Sequence, residues 1–102
     1  IQIVDMNGIQ IEGTKEEIMP LGDLKGRYES MNWNVVEIDG HDFKQIFDAI
    51  SNLQSPISNP KPGVILAKTV FGKGVSFMEG DPDWHAKAPN DEEHKLAMQE
   101  LT

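Results

Sequence analysis

No cysteine occurs among the 102 residues, so disulfides and thiolate metal sites are both excluded. That fits a reducing compartment and makes the cytoplasm the expected location. No apolar run approaches the roughly 20 residues needed to span a bilayer, and no segment reads as a basic, apolar-cored signal, so no membrane role is expected. Positive charge is scarce: nine Lys and Arg stand against 17 Asp and Glu, a net charge of -8, and the nine are scattered. Nucleic acid is therefore not an expected partner, because phosphate backbones are held by clustered basic side chains. An anionic ligand stays possible where a metal ion and backbone N–H groups hold it locally. An initiator methionine is absent as well: Ile1 enters a strand-like run directly, which predicts a processed, excised or engineered piece of a longer protein. No internal repeat or low-complexity tract is present.

What is there is ordinary for a soluble globular protein, with 38% hydrophobic and 25% charged residues. A chain this short makes at most one small domain and buries about two-thirds of its unfolded surface. Ile1 to Asp5 reads as a short strand buried on both faces. Thr14-Lys15-Glu16-Glu17 has capping-box spacing, with Pro20 limiting that helix to about one turn. Leu21, Leu24, Tyr28 and Met31 predict a helix over Leu21 to Asn32, and the alternation through Val35-Val36 and Ile38 predicts a strand over Trp33 to Ile38. Asp42 with Gln45 opens a second helix, whose Phe43, Ile46, Phe47, Ile50 and Leu53 form one apolar stripe. Gln54 to Gly63 is a proline- and serine-rich loop, and Val64 to Thr69 a second buried strand. Strand, helix, strand, helix, strand with right-handed crossovers gives an α/β fold, a parallel three-stranded sheet flanked by helices. Val70 to Ala88 is a long glycine-bearing segment of the kind that is functional or disordered, and Asn90 with Glu93 caps a polar C-terminal helix.

Ligands of open α/β sheets gather at the carboxyl ends of the strands. Three unusual segments fall there: Asp5-Met6-Asn7 after the first strand, Asp39-Gly40-His41 after the second, and the glycine-bearing loop after the third. Each also has a purely structural reading. Asp and Asn bond their own backbone and Gly8 accepts a positive φ, which makes a turn; Gly40 and Asp42 serve as bend and cap. His85 sits beside Trp84 in the glycine-bearing loop, and can donate to a phosphate or move a proton, or can be an idle solvated imidazole. His94 is expected on the surface. Gly72-Lys73-Gly74 lacks phosphate-loop spacing and the helix that should follow it.

Taken together, Val4-Asp5-Met6-Asn7-Gly8-Ile9-Gln10-Ile11-Glu12-Gly13, Met31-Asn32-Trp33, Glu37-Ile38-Asp39-Gly40-His41-Asp42, Ala67 through Glu79 and Trp84-His85-Ala86-Lys87-Ala88-Pro89-Asn90 resemble the thiamine diphosphate-binding N-terminal section of transketolase. The resemblance covers almost the whole chain and identifies residues 1–102 as the later half of the diphosphate-binding domain. It implies thiamine diphosphate and Mg²⁺ or Ca²⁺ as cofactors, with Asn7 giving a side-chain oxygen and Ile9 a backbone oxygen to the metal. It implies that Asn7, Gly8, Ile9, Phe71 and His85 bind the cofactor and that His85 is catalytic. The implied reaction is transfer of a two-carbon ketol unit between sugar phosphates. Three departures stand out: the family's Gly-Asp-Gly metal turn is absent, Phe71 stands where relatives often carry Lys or Ile, and Ala86 replaces a common Gly, as in deoxyxylulose-phosphate synthases. The implied partners are sugar phosphates and a pyrimidine-binding domain or subunit, within a homo- or hetero-oligomer such as a dimer. The chain alone is expected to be inactive and to self-associate through exposed apolar edge and face. A deoxyxylulose-phosphate synthase parent, or a non-catalytic assembly module, are the alternatives.

Overall fold

The computed structural model describes residues 1–54 and 61–102, so the expected loop over Gln54 to Gly63 lies largely outside them. The chain divides into two compact units, Ile1–Met6 with Leu21–Thr69, and Asn7–Pro20 with Val70–Thr102. The expected α/β class is what forms, with a parallel three-stranded sheet in the first unit. No described helix is long and apolar enough to cross a membrane.

In the first unit β1 (Gln2–Met6), β4 (Asn34–Asp39) and β5 (Gly63–Lys68) make the sheet in the order β1-β5-β4, every pairing parallel. The central strand is the most apolar segment, and Val64, Ile65 and Leu66 are at most 1% exposed. Side chains alternate across a strand, so Ile3, Val36, Ile65 and Ala67 share one face and Gln2, Val35 and Val64 the other. Helix α3 (Phe43–Gln54) covers the first face, packing Ala49 against Ile38, Ile65 and Ala67, with Ile46, Ile50 and Leu53 beside them. Helix α2 (Leu24–Ser30) serves the other: Gln2 Nε2 donates to the Tyr28 hydroxyl at 2.8 Å, and Tyr28 meets Trp33 edge-on at 5.3 Å. Opposite faces for the two connections are what right-handed crossovers in opposite directions require.

Several expectations are corrected here. The strand expected to be buried on both faces is an edge strand, paired among the described residues with β5 alone, and Ile3 is 61% exposed because α3 lies over β4. The apolar stripe of α3 is split: Ile46, Ile50 and Leu53 reach the sheet, while Phe43 and Phe47 are 87% and 70% exposed on the helix flank. The first of the two crossover helices begins at Leu24 rather than Leu21, since the Asp23 carboxylate accepts from Gly26 N at 2.9 Å and so starts the helix there. It ends before Asn32, whose φ of 66° is left-handed. The second strand is displaced by one residue, running Asn34–Asp39.

The second unit opens with a hairpin, β2 (Ile9–Gln10) against β3 (Gly13–Thr14). Thr14 and Glu17 then form the expected capping box of α1 (Lys15–Ile18). After the segment from Val70 comes a 3₁₀ turn, Pro82–Trp84, and then α4 (Asp91–Leu101), capped reciprocally by Asn90 and Glu93 as expected. His94 is exposed on α4.

Gly40 is required by proximity rather than by backbone twist. A Cβ there would lie 2.5 Å from Thr69 Cγ2 and 3.1 Å from the Lys68 carbonyl oxygen, and Gly40 N itself donates to that oxygen at 2.7 Å. Gly40→Ala should therefore lower unfolding free energy by about 1–3 kcal/mol, the usual cost of overpacking, read as a lower urea midpoint; an unchanged midpoint would show that the β4 end is not held against β5.

Candidate functional site

The carboxyl ends of the three strands lie level, Met6 opposite Lys68 and Asp39 opposite the same residue. Within the first unit this rim is closed by side chains: the Thr69 hydroxyl donates to the Asp5 carboxylate in a short bond, and Gly40 is clamped to Lys68 as above. Asp39 turns back on its own loop, its carboxylate accepting from His41 N at 2.9 Å. Gln45 plays a double part that capping-box spacing does not reveal. Its Oε1 accepts from Asp39 N at 3.0 Å and its Nε2 donates to Asp42 Oδ2 at 2.9 Å, so it joins helix start to strand end. That bond from Gln45 is the main cause holding the Asp42 carboxyl below its ordinary range. Next to the rim, Ile3, Ile46 and Ile65 enclose a cavity of about 240 Å³ with Asp5 and Thr69 at its edge. Apolar walls and an acidic edge make it unsuited to a diphosphate.

Asn7, Gly8, Ile9, Phe71 and His85 all belong to the second unit. Asn7 follows the last residue of β1 and makes an Asx turn, its Oδ1 accepting from Ile9 N at 2.9 Å. Gly8 has a φ of 78° and open space around it, so the residue is set by backbone twist. Its carbonyl accepts from Lys15 N at 2.9 Å, which anchors the hairpin to α1. A carboxamide oxygen has two lone pairs, so one of this kind can accept from an N–H and meet a cation at once. Phe71 is half-buried in the turn after β5, whose Lys73 and Glu79 pair at 3.5 Å. His85 closes the 3₁₀ turn, donating its N–H to the Pro82 carbonyl at 2.9 Å, with its side chain exposed.

Asn7 Oδ1 and the Ile9 carbonyl are neutral hard oxygens of the kind Mg²⁺ and Ca²⁺ accept. Among the described residues no three His, Asp or Glu side chains converge as a metal cluster. The donors thus fit the minor part of a magnesium shell, and carboxylate oxygens would have to complete it.

A parallel sheet whose strands end level, with loops leaving their carboxyl ends, is an open α/β fold, the class in which ligands gather at that rim. Within that class the chain belongs to the transketolase family: residues 1–102 match the transketolase thiamine diphosphate binding domain. It is 34% identical over 102 residues to one of the subunits of apulose-4-phosphate transketolase from Phocaeicola vulgatus, covering 100% of this chain and 36% of that one. It is 37% identical over 102 residues to transketolase 2 of Escherichia coli, covering 99% and 15% respectively. The crystal structure of transketolase from Campylobacter jejuni superposes with a TM-score of 0.82 at 32% identity, over 95% of this chain and 15% of that one. The chain therefore spans well under half the length of each of these relatives.

The segment between β5 and α4 is tied down by Glu100, whose Oε1 accepts from Ser76 Oγ at 2.7 Å and whose Oε2 accepts from Ser76 N. These bonds, the backbone one first, hold the Glu100 carboxyl below the ordinary glutamate value of 4.5. A depressed folded value means that the tie is complete above the unfolded value and is lost as pH falls through the folded one. In an NMR titration Glu100 should titrate below an unstructured glutamate, and Ser76→Ala should move it part of the way back; coincidence with the free value would remove the tie.

Proposed function

We propose that this chain supplies part of the metal and diphosphate site of a transketolase, which moves a two-carbon ketol unit between sugar phosphates using thiamine diphosphate and Mg²⁺ or Ca²⁺. The observation that carries the reading is the unbroken family match over residues 1–102. Geometry supports it: three parallel strands end level, and Asn7 follows directly on the first.

Each residue then has a task. Asn7 offers its carboxamide oxygen and Ile9 its backbone carbonyl to the metal, while the left-handed Gly8 lets the chain turn between them. The metal offsets the diphosphate charge, which a chain of net charge -8 would otherwise repel. Phe71 offers an apolar surface to the cofactor. His85, exposed in its loop, donates to the diphosphate or moves a proton at the reacting carbon. When bound, thiamine diphosphate supplies the nucleophilic carbon and the electron sink that ketol transfer needs. The pyrimidine-binding part and the remaining carboxylates lie outside residues 1–102, in a further part of the same protein or in a partner. The Phocaeicola vulgatus relative is named as one subunit of its enzyme, which supports a partner chain, as do the exposed Ile3, Phe43 and Phe47.

Isothermal titration of thiamine diphosphate with Mg²⁺ into the lone chain should give no micromolar binding, because an incomplete shell leaves the diphosphate charge uncompensated; micromolar affinity would overturn the shared-site reading. In the assembled enzyme, His85→Ala should lower turnover by about 10²–10⁴-fold, the range of general acid–base contributions. Asn7→Ala should weaken metal-dependent cofactor binding by at least about tenfold, roughly 1.4 kcal/mol. Turnover of pyruvate with glyceraldehyde 3-phosphate in place of ribose 5-phosphate with xylulose 5-phosphate would assign the parent to deoxyxylulose-phosphate synthesis instead.

A further inference from the structure

We propose that Lys87 is a positioning residue for His85, acting through the ring of Trp84 and the left-handed backbone at Ala86; this rests on the role given to His85 above. The imidazole of His85 has no hydrogen-bond or ion-pair partner among the described residues, so its placement rests on the backbone on either side. Before it stands the 3₁₀ turn, begun by Pro82 and by Asp81, whose carboxylate accepts from Asp83 N at 2.9 Å. After it stands Ala86 with a φ of 66°. A residue with a Cβ persists in that region only where its surroundings over-determine the conformation.

Those surroundings are visible. Lys87 N donates to the Trp84 carbonyl at 3.3 Å, folding the chain back across His85. The Lys87 ammonium then sits 3.8 Å from the centroid of the Trp84 ring, and the same ring meets Phe77 at 5.3 Å. Lys87 also lies 3.6 Å from Glu93 Oε1, while Glu93 Oε2 accepts from Asn90 N at 2.8 Å in the cap of α4. Phe77, Trp84, Lys87 and Glu93 thus form one chain of contacts from the loop to a helix start, and His85 is strung between its middle members.

The two contacts of Lys87 are not equal. Its side chain is 48% exposed and that of Glu93 28%, so solvent and salt weaken the ion pair. The cation over the indole face is the contact that bears on His85, because Trp84 is its chain neighbour whereas Glu93 lies on α4. Without it the backbone at Ala86 can leave the left-handed region, and the histidine leaves with it.

The test compares Lys87→Met and Lys87→Arg in the assembled holoenzyme by amide hydrogen exchange and steady-state kinetics. Methionine should speed exchange of the His85 amide about tenfold and lower kcat about tenfold with KM for the sugar phosphates within twofold, and arginine, which keeps the cation on the ring, should restore both. Unchanged exchange in Lys87→Met overturns the proposal, as does a loss that arginine does not repair or one that falls on KM, which would mean direct substrate contact. His85→Ala in the same assay separates the two readings: full turnover there places the failure on the histidine's role, whereas the exchange at residue 85 in Lys87→Met reports on the clamp whatever the turnover.

Discussion

Burial of β5 on both faces and pairing of both its edges is the constraint on which the first unit depends. Val64, Ile65 and Leu66 are essentially without solvent contact, and each such side chain contributes about 1.5–3 kcal/mol on leaving water. With that strand central, β1 and β4 can only flank it, and parallel pairing brings Met6, Lys68 and Asp39 to one level. The rim bonds, Thr69 to Asp5 and Gly40 to Lys68, are consequences of that level ending. A shift of one residue in the β1–β5 pairing would move Asp5 to the other face and part it from Thr69.

The second unit is ordered by a different means. Gly13, Val75 and Ala97 are its buried residues among those described, too few to fix a loop through packing. Polar bonds take over: Thr14 with Glu17 and Asn90 with Glu93 at helix starts, and Ser76 with Glu100 near the end of α4. Residues proposed to meet the cofactor are therefore carried on backbone whose shape is set by caps and turns, with the side chains of Asn7 and His85 left near solvent. That suits a site that must accept a charged ligand, since a buried site would carry a large desolvation cost.

Much of this was legible from spacing alone. Capping pairs such as Thr14–Glu17 and Asn90–Glu93 are local, and local hydrogen bonds form wherever the chain carries them. The continuous apolar run at β5 announced a buried strand. The hairpin Ile9–Thr14 could not be read, because strands of two residues show no period. Nor could the second task of Gln45, whose partner Asp39 belongs to a different element. For the site, residue order pointed to Asn7, Ile9 and His85 through family resemblance, while Lys87 above Trp84 emerged only from the folded loop.

By itself the sequence determined the parallel α/β class, the capped starts of α1, α3 and α4 and the transketolase kinship, because these rest on short-range periodicity, side-chain-to-backbone bonds and residue order. Only the tertiary structure decided that Ile3 stands on a half-covered edge strand and that Phe43 and Phe47 leave the sheet. Apolar character says that a side chain gains by leaving water, yet which side chains find cover depends on where each helix crosses the sheet. Here α3 lies over β4 and not over β1, a fact of packing between segments far apart in the chain.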